Sequence, residues 1–266
     1  SMQTSLNPNR ISTEYRQMTA TLGMGLLSIG RSWGVRETTP PVEQDANKLL
    51  REAVSLGIRF FDTAPAYGDS EARLGTFLKS GHSAGAPYEM TIATKIGEHW
   101  APDDKSTYVD HSFEAMTKSL AQSLDRLGKI DLLQIHKASP VVLAAPATER
   151  LVQSAQEQGI GSFGASVSDL ETAETAVECP WIDWIQIPFN SKYPDMEPVF
   201  DMAMRRGIRV LINRPLAMGA LADENAHDPV TAAFRFIKQQ DFDGVVLTGT
   251  RSLEHLRSNV AAFSAA

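Results

Sequence analysis

The sequence predicts an α/β fold, a (β/α)8 TIM barrel in which parallel strands alternate with helices around a closed ring. Apolar stripes with helical spacing alternate along the chain with short apolar runs, and a glycine often stands between them. Counting these runs gives eight strands, which close into a barrel more readily than into an open sheet. A doubly wound open sheet remains the alternative from this pattern alone.

The predicted strands are short apolar runs bounded by glycines or polar residues. In chain order they cover residues 21–27, 58–61, 90–93, 132–135, 161–165, 184–187, 208–212 and 245–247. Two longer segments, 36–44 and 97–110, are predicted to be loops on strand ends.

The predicted helices carry apolar residues three or four positions apart. Ser168 and Glu171 have the spacing of a capping box, and Pro198 and Pro229 are expected at helix starts. The apolar stripes are Ala46, Leu49, Leu50, Ala53 and Val54 before Gly57; Phe113, Met116, Leu120, Leu124 and Leu127 before Gly128; and Leu151, Val152 and Ala155 before Gly159.

The composition limits the class of protein. The net charge is −7 and there is no basic stripe, which argues against a nucleic-acid surface. No apolar run approaches the roughly 20 residues that a membrane-spanning helix needs. The one cysteine, Cys179, cannot form an internal disulfide, and nothing local would activate it as a nucleophile. We therefore expect a reducing, cytoplasmic environment.

The chain is predicted to form one catalytic domain. Residues 1–18 are polar and lack the pattern of a signal peptide, so we expect a loosely held leader. Residues 19–266 would then form the barrel, since no linker divides them.

Four polar residues fall at the ends of three consecutive predicted strands. Asp62 ends the second strand and Tyr67 lies in the turn after it, while Lys95 and His136 follow the third and fourth strands. Because barrel enzymes carry their chemistry on the loops after the strands, these side chains are expected to converge on one rim. Taken singly, each has an ordinary structural explanation, such as a loop cap or a core side chain.

Together these side chains would form a tuned proton donor. A free tyrosine has a pKa of about 10, and an adjacent ammonium such as Lys95 is expected to lower it by favouring the phenolate. The Asp62 carboxylate would keep Lys95 charged, and His136 could hydrogen-bond the reacting oxygen. Such a set suits carbonyl reduction, with hydride arriving from the other side and with no metal or strong nucleophile.

The segment 61–71, followed by Leu74 and Gly75, resembles the first signature of the aldo-keto reductase family. The resemblance continues through 186–190, 215–219 and 249–259 and covers nearly the whole chain from about residue 20. It implies an NAD(P)H-dependent oxidoreductase with Tyr67 as general acid in reduction and base in oxidation. Lys95 and Asp62 would depress the pKa of Tyr67, and His136 would orient the substrate carbonyl.

The resemblance also implies a nicotinamide cofactor lying across the strand ends. NADPH is favoured because Arg251 could pair with a 2′-phosphate; NADH is the second option, and a solvated loop arginine is the alternative for Arg251. Ser166 and Gln186 would bind the carboxamide, and a helix N-terminus would hold the adenosine phosphate. The implied contacts are Gly25, Asp62, Ser166, Gln186, Leu216, Gly219, Gly249, Thr250, Arg251 and Asn259.

Several positions depart from the family pattern. Val167 stands where an asparagine often follows the carboxamide-binding serine. Asn213 and Arg214 replace the aromatic residue that would stack on the nicotinamide, and His255 replaces an arginine for the 2′-phosphate.

The substrate implied by the resemblance is a small-molecule carbonyl compound, which the sequence does not identify further; it leaves the oligomeric state open as well. The sequence ends soon after the last helix, which implies an open substrate site. Trp33 and Trp100 would shape this site together with Tyr67 and His136, although both tryptophans could equally be core residues.

Other functions fit less well. Gly23 and Gly25 match the first two glycines of the G-x-G-x-x-G motif that binds dinucleotides in open-sheet (Rossmann) dehydrogenases. Ser28 stands where the third glycine of that motif belongs, so the match is weak. Lys95 would suit a Schiff-base barrel, but Asp62 would oppose the neutral amine that such chemistry needs. The six histidines show no spacing typical of metal ligands. A barrel that binds nicotinamide and senses redox state without useful turnover stays open as the alternative function.

Overall fold

A computed structural model describes residues 20–32, 39–81, 89–217 and 228–266, and its main feature is a closed barrel of parallel strands. The predicted strands all overlap observed ones. The barrel strands are β1 (Ala20–Gly25), β2 (Phe60–Asp62), β3 (Thr91–Ile96), β6 (Leu132–Ile135), β7 (Ser162–Ser166), β8 (Trp184–Pro188), β9 (Arg209–Asn213) and β10 (Gly244–Thr248).

The strands follow the order β1-β10-β9-β8-β7-β6-β3-β2 around the ring. Because β1 pairs in parallel with both β2 and β10, the ring has no free edge. The predicted (β/α)8 TIM barrel is therefore confirmed, and the open sheet is wrong.

Helices connect the successive barrel strands. Their N-termini include two predicted ones, since Pro198 and Pro229 each occupy the first helical position, where the missing N–H costs no hydrogen bond. The helices are α1 (Glu43–Ser55), α2 (Ser70–Lys79), α3 (Phe113–Leu127), α4 (Pro140–Ala144), α5 (Pro146–Glu157), α6 (Leu170–Glu178), α7 (Pro198–Arg206), α8 (Pro229–Lys238) and α9 (Leu253–Ala265).

The apolar stripes form the buried faces of these helices, as their spacing predicts. All five stripe residues of α1 are buried, and so are those of α5. In α3, Met116, Leu120 and Leu127 are buried, whereas Phe113 and Leu124 are partly buried against the same core. Gly128 ends α3 in the left-handed conformation, with a φ of 77° that a side chain would disfavour.

Two local predictions need correction. The N-cap of α6 is Asp169 rather than Ser168, because the Asp169 carboxylate accepts a hydrogen bond from the Thr172 backbone N–H at 2.8 Å. The predicted loop 36–44 already contains the first two residues of α1, which begins at Glu43; its residues 36–38 lie outside the described residues.

The segment 97–110 is an antiparallel hairpin rather than an irregular loop. It consists of β4 (Glu98–Ala101) and β5 (Ser106–Val109), paired from Glu98 with Val109 to Ala101 with Ser106. The β-branched and aromatic residues of β5 favour a strand, which explains the difference from the prediction.

The barrel interior is built in two layers. Phe60 on β2 and Trp184 on β8 meet across the ring with their centroids 5.6 Å apart. Side chains two positions apart in a strand point to the same side. Asp62 and Gln186, two residues further along these strands, therefore also face inward and lie above the apolar layer. The apolar layer consists of Phe60, Ala93, Leu132, Trp184, Leu211, Val245 and Leu247.

The expected leader 1–18, Trp33 and Gly219 lie outside the described residues. In the described ranges, no helix is both long enough and apolar enough to cross a membrane.

Candidate active site

A polar layer covers the apolar one at the carboxyl ends of the barrel strands. Its members stand two residues after members of the apolar layer, so the strand alternation itself brings them together. The layer consists of Asp62, Lys95, Gln134, Gln186 and Asn213, and all are buried or half-buried.

A buried ion pair lies at the centre of this layer. Lys95 Nζ donates to Asp62 Oδ2 at 2.6 Å, and the two side chains are 0% and 3% exposed. Lys95 Nζ also donates to the backbone oxygen of Thr63 at 3.1 Å. Burial of two charges is tolerated only when they are paired and hydrogen-bonded, as they are here.

Tyr67 ends a 3₁₀ turn at Pro65–Tyr67 that is held against the segment after β1. The Asp69 backbone N–H donates to the oxygen of Gly30 at 3.1 Å. A Cβ on Gly30 would lie 1.7 Å from the backbone oxygen of Tyr67, so only glycine permits this approach. The turn thereby directs the Tyr67 ring towards Lys95, whose Nζ lies 4.7 Å from the ring centre.

The net shift in the pKa of Tyr67 is opposite to the sequence prediction. Burial raises this pKa above its usual value of about 10, and the Lys95 charge and hydrogen bond oppose the rise without cancelling it. The Asp62 carboxylate raises the pKa instead of depressing it, because negative charge disfavours the phenolate. Burial lowers the pKa of Lys95, but Asp62 and Tyr67 together raise it above its usual value.

His136 follows β6 directly and is buried as a neutral imidazole. Burial, and then the charge of Lys95, holds its pKa well below the usual range. His136 Nε2 lies 3.2 Å from Glu98 Oε2, and because a carboxylate only accepts, Nε2 carries the proton. Nδ1 is buried and has no hydrogen-bond partner among the described residues. The His136 and Tyr67 rings meet edge to face with centroids 5.9 Å apart.

Amide side chains connect Asp62 to the far side of the barrel. Gln134 Nε2 donates to Asp62 Oδ1 at 2.8 Å, and Gln186 Nε2 donates to Asp62 Oδ1 at 3.2 Å and to Gln134 Oε1 at 2.8 Å. Asn213 Nδ2 donates to Gln186 Oε1 at 3.0 Å. Gln186, expected to bind a carboxamide, therefore already has partners for both of its polar atoms.

Asn213 offers a bare acceptor at the same rim. Its Oδ1 atom is buried and has no hydrogen-bond partner within the described part of the chain. Such an acceptor suits the amide N–H of a nicotinamide carboxamide. Ser166, which ends β7 opposite Gln186 in register, adds a hydroxyl to the same side. These residues fit the carboxamide end of a nicotinamide cofactor.

The other predicted cofactor contacts surround the junction of β1 and β10. Gly25 ends β1, and a Cβ built on Gly249 would lie 3.4 Å from its backbone oxygen. Thr250 Oγ1 accepts from the Ser252 N–H at 3.1 Å at the start of α9. Leu216 is partly buried after β9.

Arg251 and Asn259, two further predicted contacts, also have protein partners. Arg251 is exposed and donates to the backbone oxygen of Thr39 at 2.7 Å. Asn259 is buried and donates through Nδ2 to Thr248 Oγ1 at 2.9 Å. The N-terminus of α9, near Arg251, is suited to a phosphate group.

Trp100 lies on the hairpin beside the site. The guanidinium of Arg31 lies 5.7 Å from the centre of its ring, and Arg31 Nε is buried without a hydrogen-bond partner among the described residues. Trp100 is half-buried, so it is neither a core residue nor freely solvated. Within the described ranges, no cluster of three or more His, Cys, Asp or Glu side chains could hold a metal ion.

Sequence reasoning missed Gln134, Glu98, Arg31 and the hydrogen-bonding role of Asn213. A signal existed for two of them, since Gln134 and Asn213 stand two residues after apolar barrel residues, as Asp62 does. No comparable signal existed for Glu98, whose position depends on the hairpin.

Comparisons with known proteins agree on one family. The profile described as the aldo/keto reductase family matches residues 21–231. An L-galactose dehydrogenase from Arabidopsis thaliana is 30% identical over 215 residues, 76% of this chain and 63% of the relative. The aldo-keto reductase YhdN from Bacillus subtilis is 28% identical over 75% of this chain and 59% of its own length. The chain thus aligns with less than two thirds of either relative.

A solved structure shows the same architecture. The crystal structure of a Pseudomonas aeruginosa protein assigned to the aldo-keto reductases superposes with a TM-score of 0.78. It is 29% identical, and the match covers 92% of this chain and 89% of that one.

Proposed function

Because the chain belongs to the aldo-keto reductase family, we propose that it transfers hydride between a nicotinamide cofactor and a small-molecule substrate. The hydride is added to the carbonyl carbon of an aldehyde or ketone, or is removed from the same carbon of the corresponding alcohol. The observation that carries the proposal is the buried Lys95–Asp62 pair directed at the Tyr67 ring. The cofactor, when bound, supplies or accepts the hydride. The substrate is a small molecule. Tyr67 transfers the proton, supported by Lys95, Asp62 and His136.

Tyr67 is the general acid in reduction. Its pKa is raised by burial, so the phenol is protonated at neutral pH and can donate to the carbonyl oxygen. As negative charge develops on the phenolic oxygen, the Lys95 ammonium stabilises it at short range in a site of low polarity. Asp62 keeps Lys95 in position and charged. In oxidation the same groups act in reverse.

His136 binds the reacting oxygen as a neutral donor. Its Nε2–H is shared between Glu98 and the carbonyl oxygen, and the low pKa keeps it from acting as a competing acid. Trp100 forms one wall of the substrate site.

NADPH is the preferred cofactor in this proposal, with NADH as the second option. Asn213 Oδ1, Ser166 and Gln186 face the carboxamide, while Arg251 and the N-terminus of α9 face the adenosine phosphate. With one cysteine in the chain, we also propose that the enzyme works in the cytoplasm.

The experiment that tests this proposal is substitution of the acid. Tyr67→Phe should lower the rate of NADPH oxidation by 4-nitrobenzaldehyde by about 100-fold or more, with little change in NADPH affinity. Tyr108→Phe, on the exposed side of the hairpin, is the matched control and should keep normal turnover. Normal turnover in Tyr67→Phe would refute the acid assignment. Tight NADPH binding without any wild-type turnover would favour the redox sensor.

A further inference from the structure

Glu98 is a buried carboxylate at the mouth of the candidate site that the proposed proton chemistry does not require. It begins β4, which packs against the 3₁₀ turn that carries Tyr67. Because alternate side chains of a strand share a face, Glu98 and Trp100 point to the same side. His99 points to the other side, where its ring stacks on Tyr108 with centroids 5.0 Å apart.

Glu98 can accept more hydrogen bonds than its contact with His136 uses. Its side chain is 7% exposed, and Oε2 lies 3.2 Å from His136 Nε2. A carboxylate has about four lone-pair positions on its two oxygens, and this contact engages one of them. A ligand that donates a hydrogen bond can therefore bind the same carboxylate.

The geometry places this acceptor beside the reacting atoms. His136, which Glu98 contacts, meets the Tyr67 ring edge to face at 5.9 Å. A carbonyl oxygen bound between Tyr67 and His136 would bring the next carbon of the substrate, and any hydroxyl on it, towards Glu98. Arg31 adds a buried donor at the same rim, its Nε, which has no hydrogen-bond partner in the described part of the chain. A hydroxyl group both donates and accepts, so it can satisfy both.

We propose that Glu98 determines substrate selection by accepting a hydrogen bond from a hydroxyl on the carbon next to the reacting carbonyl, and by repelling substrates that carry a carboxylate there. The inference rests on the proposed function. A neutral hydroxyaldehyde or hydroxyketone would therefore react better than its deoxy counterpart, because the deoxy compound cannot donate this hydrogen bond to the Glu98 carboxylate.

A purely positioning role for Glu98 makes a different prediction. If Glu98 only held the His136 ring, its removal would slow every carbonyl substrate in the same proportion. Selection by Glu98 changes the ratio between substrates instead. The ratio of kcat/KM for two matched aldehydes therefore separates the two roles.

The test compares lactaldehyde, propanal and glyoxylate with the wild type, Glu98→Gln and Glu98→Asp. We expect Glu98→Gln to lower the lactaldehyde-to-propanal ratio of kcat/KM by roughly tenfold. The same variant should raise the glyoxylate-to-propanal ratio, because the repelling charge is gone. Glu98→Asp keeps the charge and should keep both ratios closer to those of the wild type. Glu114→Gln, exposed on α3, is the matched control.

Each outcome decides the matter. Parallel losses for all three aldehydes in Glu98→Gln, with both ratios unchanged, would overturn the proposal and leave Glu98 as a positioning residue. A wild type that has a higher kcat/KM for propanal than for lactaldehyde would also overturn the proposal, while the proposed hydride transfer itself would stand. If the wild type oxidises NADPH with none of the aldehydes, the proposed function fails first, and this inference fails with it.

Discussion

Gln134 and Lys95 bind opposite oxygens of one carboxylate: Gln134 Nε2 donates to Asp62 Oδ1 at 2.8 Å, and Lys95 Nζ donates to Asp62 Oδ2 at 2.6 Å. Asp62 is therefore fixed from both sides, which in turn fixes the ammonium beside Tyr67. Several consequences can be measured.

Asp62→Asn should destabilise the protein strongly. The variant keeps the shape of the side chain but leaves the Lys95 ammonium buried without its counter-charge. We expect a loss of about 3–5 kcal/mol in the free energy of unfolding, measured by urea denaturation at neutral pH. Asp201→Asn is the control, since it breaks an exposed pair with Arg205 on α7 and should cost less than about 1 kcal/mol. Equal losses of unfolding free energy in both variants would show that burial does not strengthen the contribution of the Lys95–Asp62 pair to stability.

Gln134→Leu should destabilise the polar layer without removing a charge. It takes away one donor to Asp62 and the acceptor of Gln186 Nε2, so buried groups lose their partners. We expect a loss of about 1–3 kcal/mol in the free energy of unfolding. Gln153→Leu, exposed on α5, should change it by less than about 0.5 kcal/mol. If Gln134→Leu left the free energy of unfolding unchanged, the result would argue against the hydrogen-bond network around Asp62.

The stability of the protein should fall as the pH drops below about 6.5, in part through His136. The Glu98 carboxylate favours a charged imidazole, but burial and nearby positive charges hold the pKa of His136 well below its usual value. Below pH 6.5 the unfolded chain therefore binds a proton that the folded chain does not, and the folded state loses stability. Above pH 6.5 both forms are neutral at this position, and the contribution is constant.

The check is a comparison of the wild type with His136→Asn by urea unfolding at pH 7.5 and 5.5. The stability difference between the two pH values should be about 1 kcal/mol smaller in the variant. An identical difference in both proteins would mean that His136 is protonated in the folded state.

Arg251→Ala should weaken NADPH binding more than NADH binding. Loss of a charge-assisted contact to the 2′-phosphate corresponds to a roughly tenfold or greater increase in Kd for NADPH. Removal of the hydrogen bond to Thr39 should affect both cofactors alike. Fluorescence titration measures both affinities, with the exposed Arg235→Ala of α8 as control. Similar losses for NADPH and NADH would remove the proposed phosphate contact.

The fold could be predicted because its signals are local and repeated. Helical stripes ending at Gly57 and Gly128 required only the sequence, and so did the polar positions after strands, such as Asp62 and Lys95. The pKa direction of Tyr67 could not be predicted in this way. It depends on how far burial outweighs the Lys95 charge, and burial is a property of the assembled barrel.

The position of Glu98 was also beyond sequence reasoning. Its segment contains no regular apolar pattern, and only the pairing of β4 with β5 turns its side chain towards His136. By contrast, Asn213 was noted as the replacement of an aromatic residue, but its hydrogen bond to Gln186 required the geometry of two adjacent strands.

The two-layered interior sets where the chain can tolerate changes of length. Phe60 and Asp62 belong to different layers although only one residue separates them, and the same holds for Leu132 with Gln134. Deleting one residue within β2 or β6 would turn the side chains beyond the deletion to the other face of the strand, so that Asp62 or Gln134 would leave the barrel interior and face the surrounding helices. Insertions and deletions are therefore expected to be accommodated between a helix and the next strand, and to be excluded from the strands themselves.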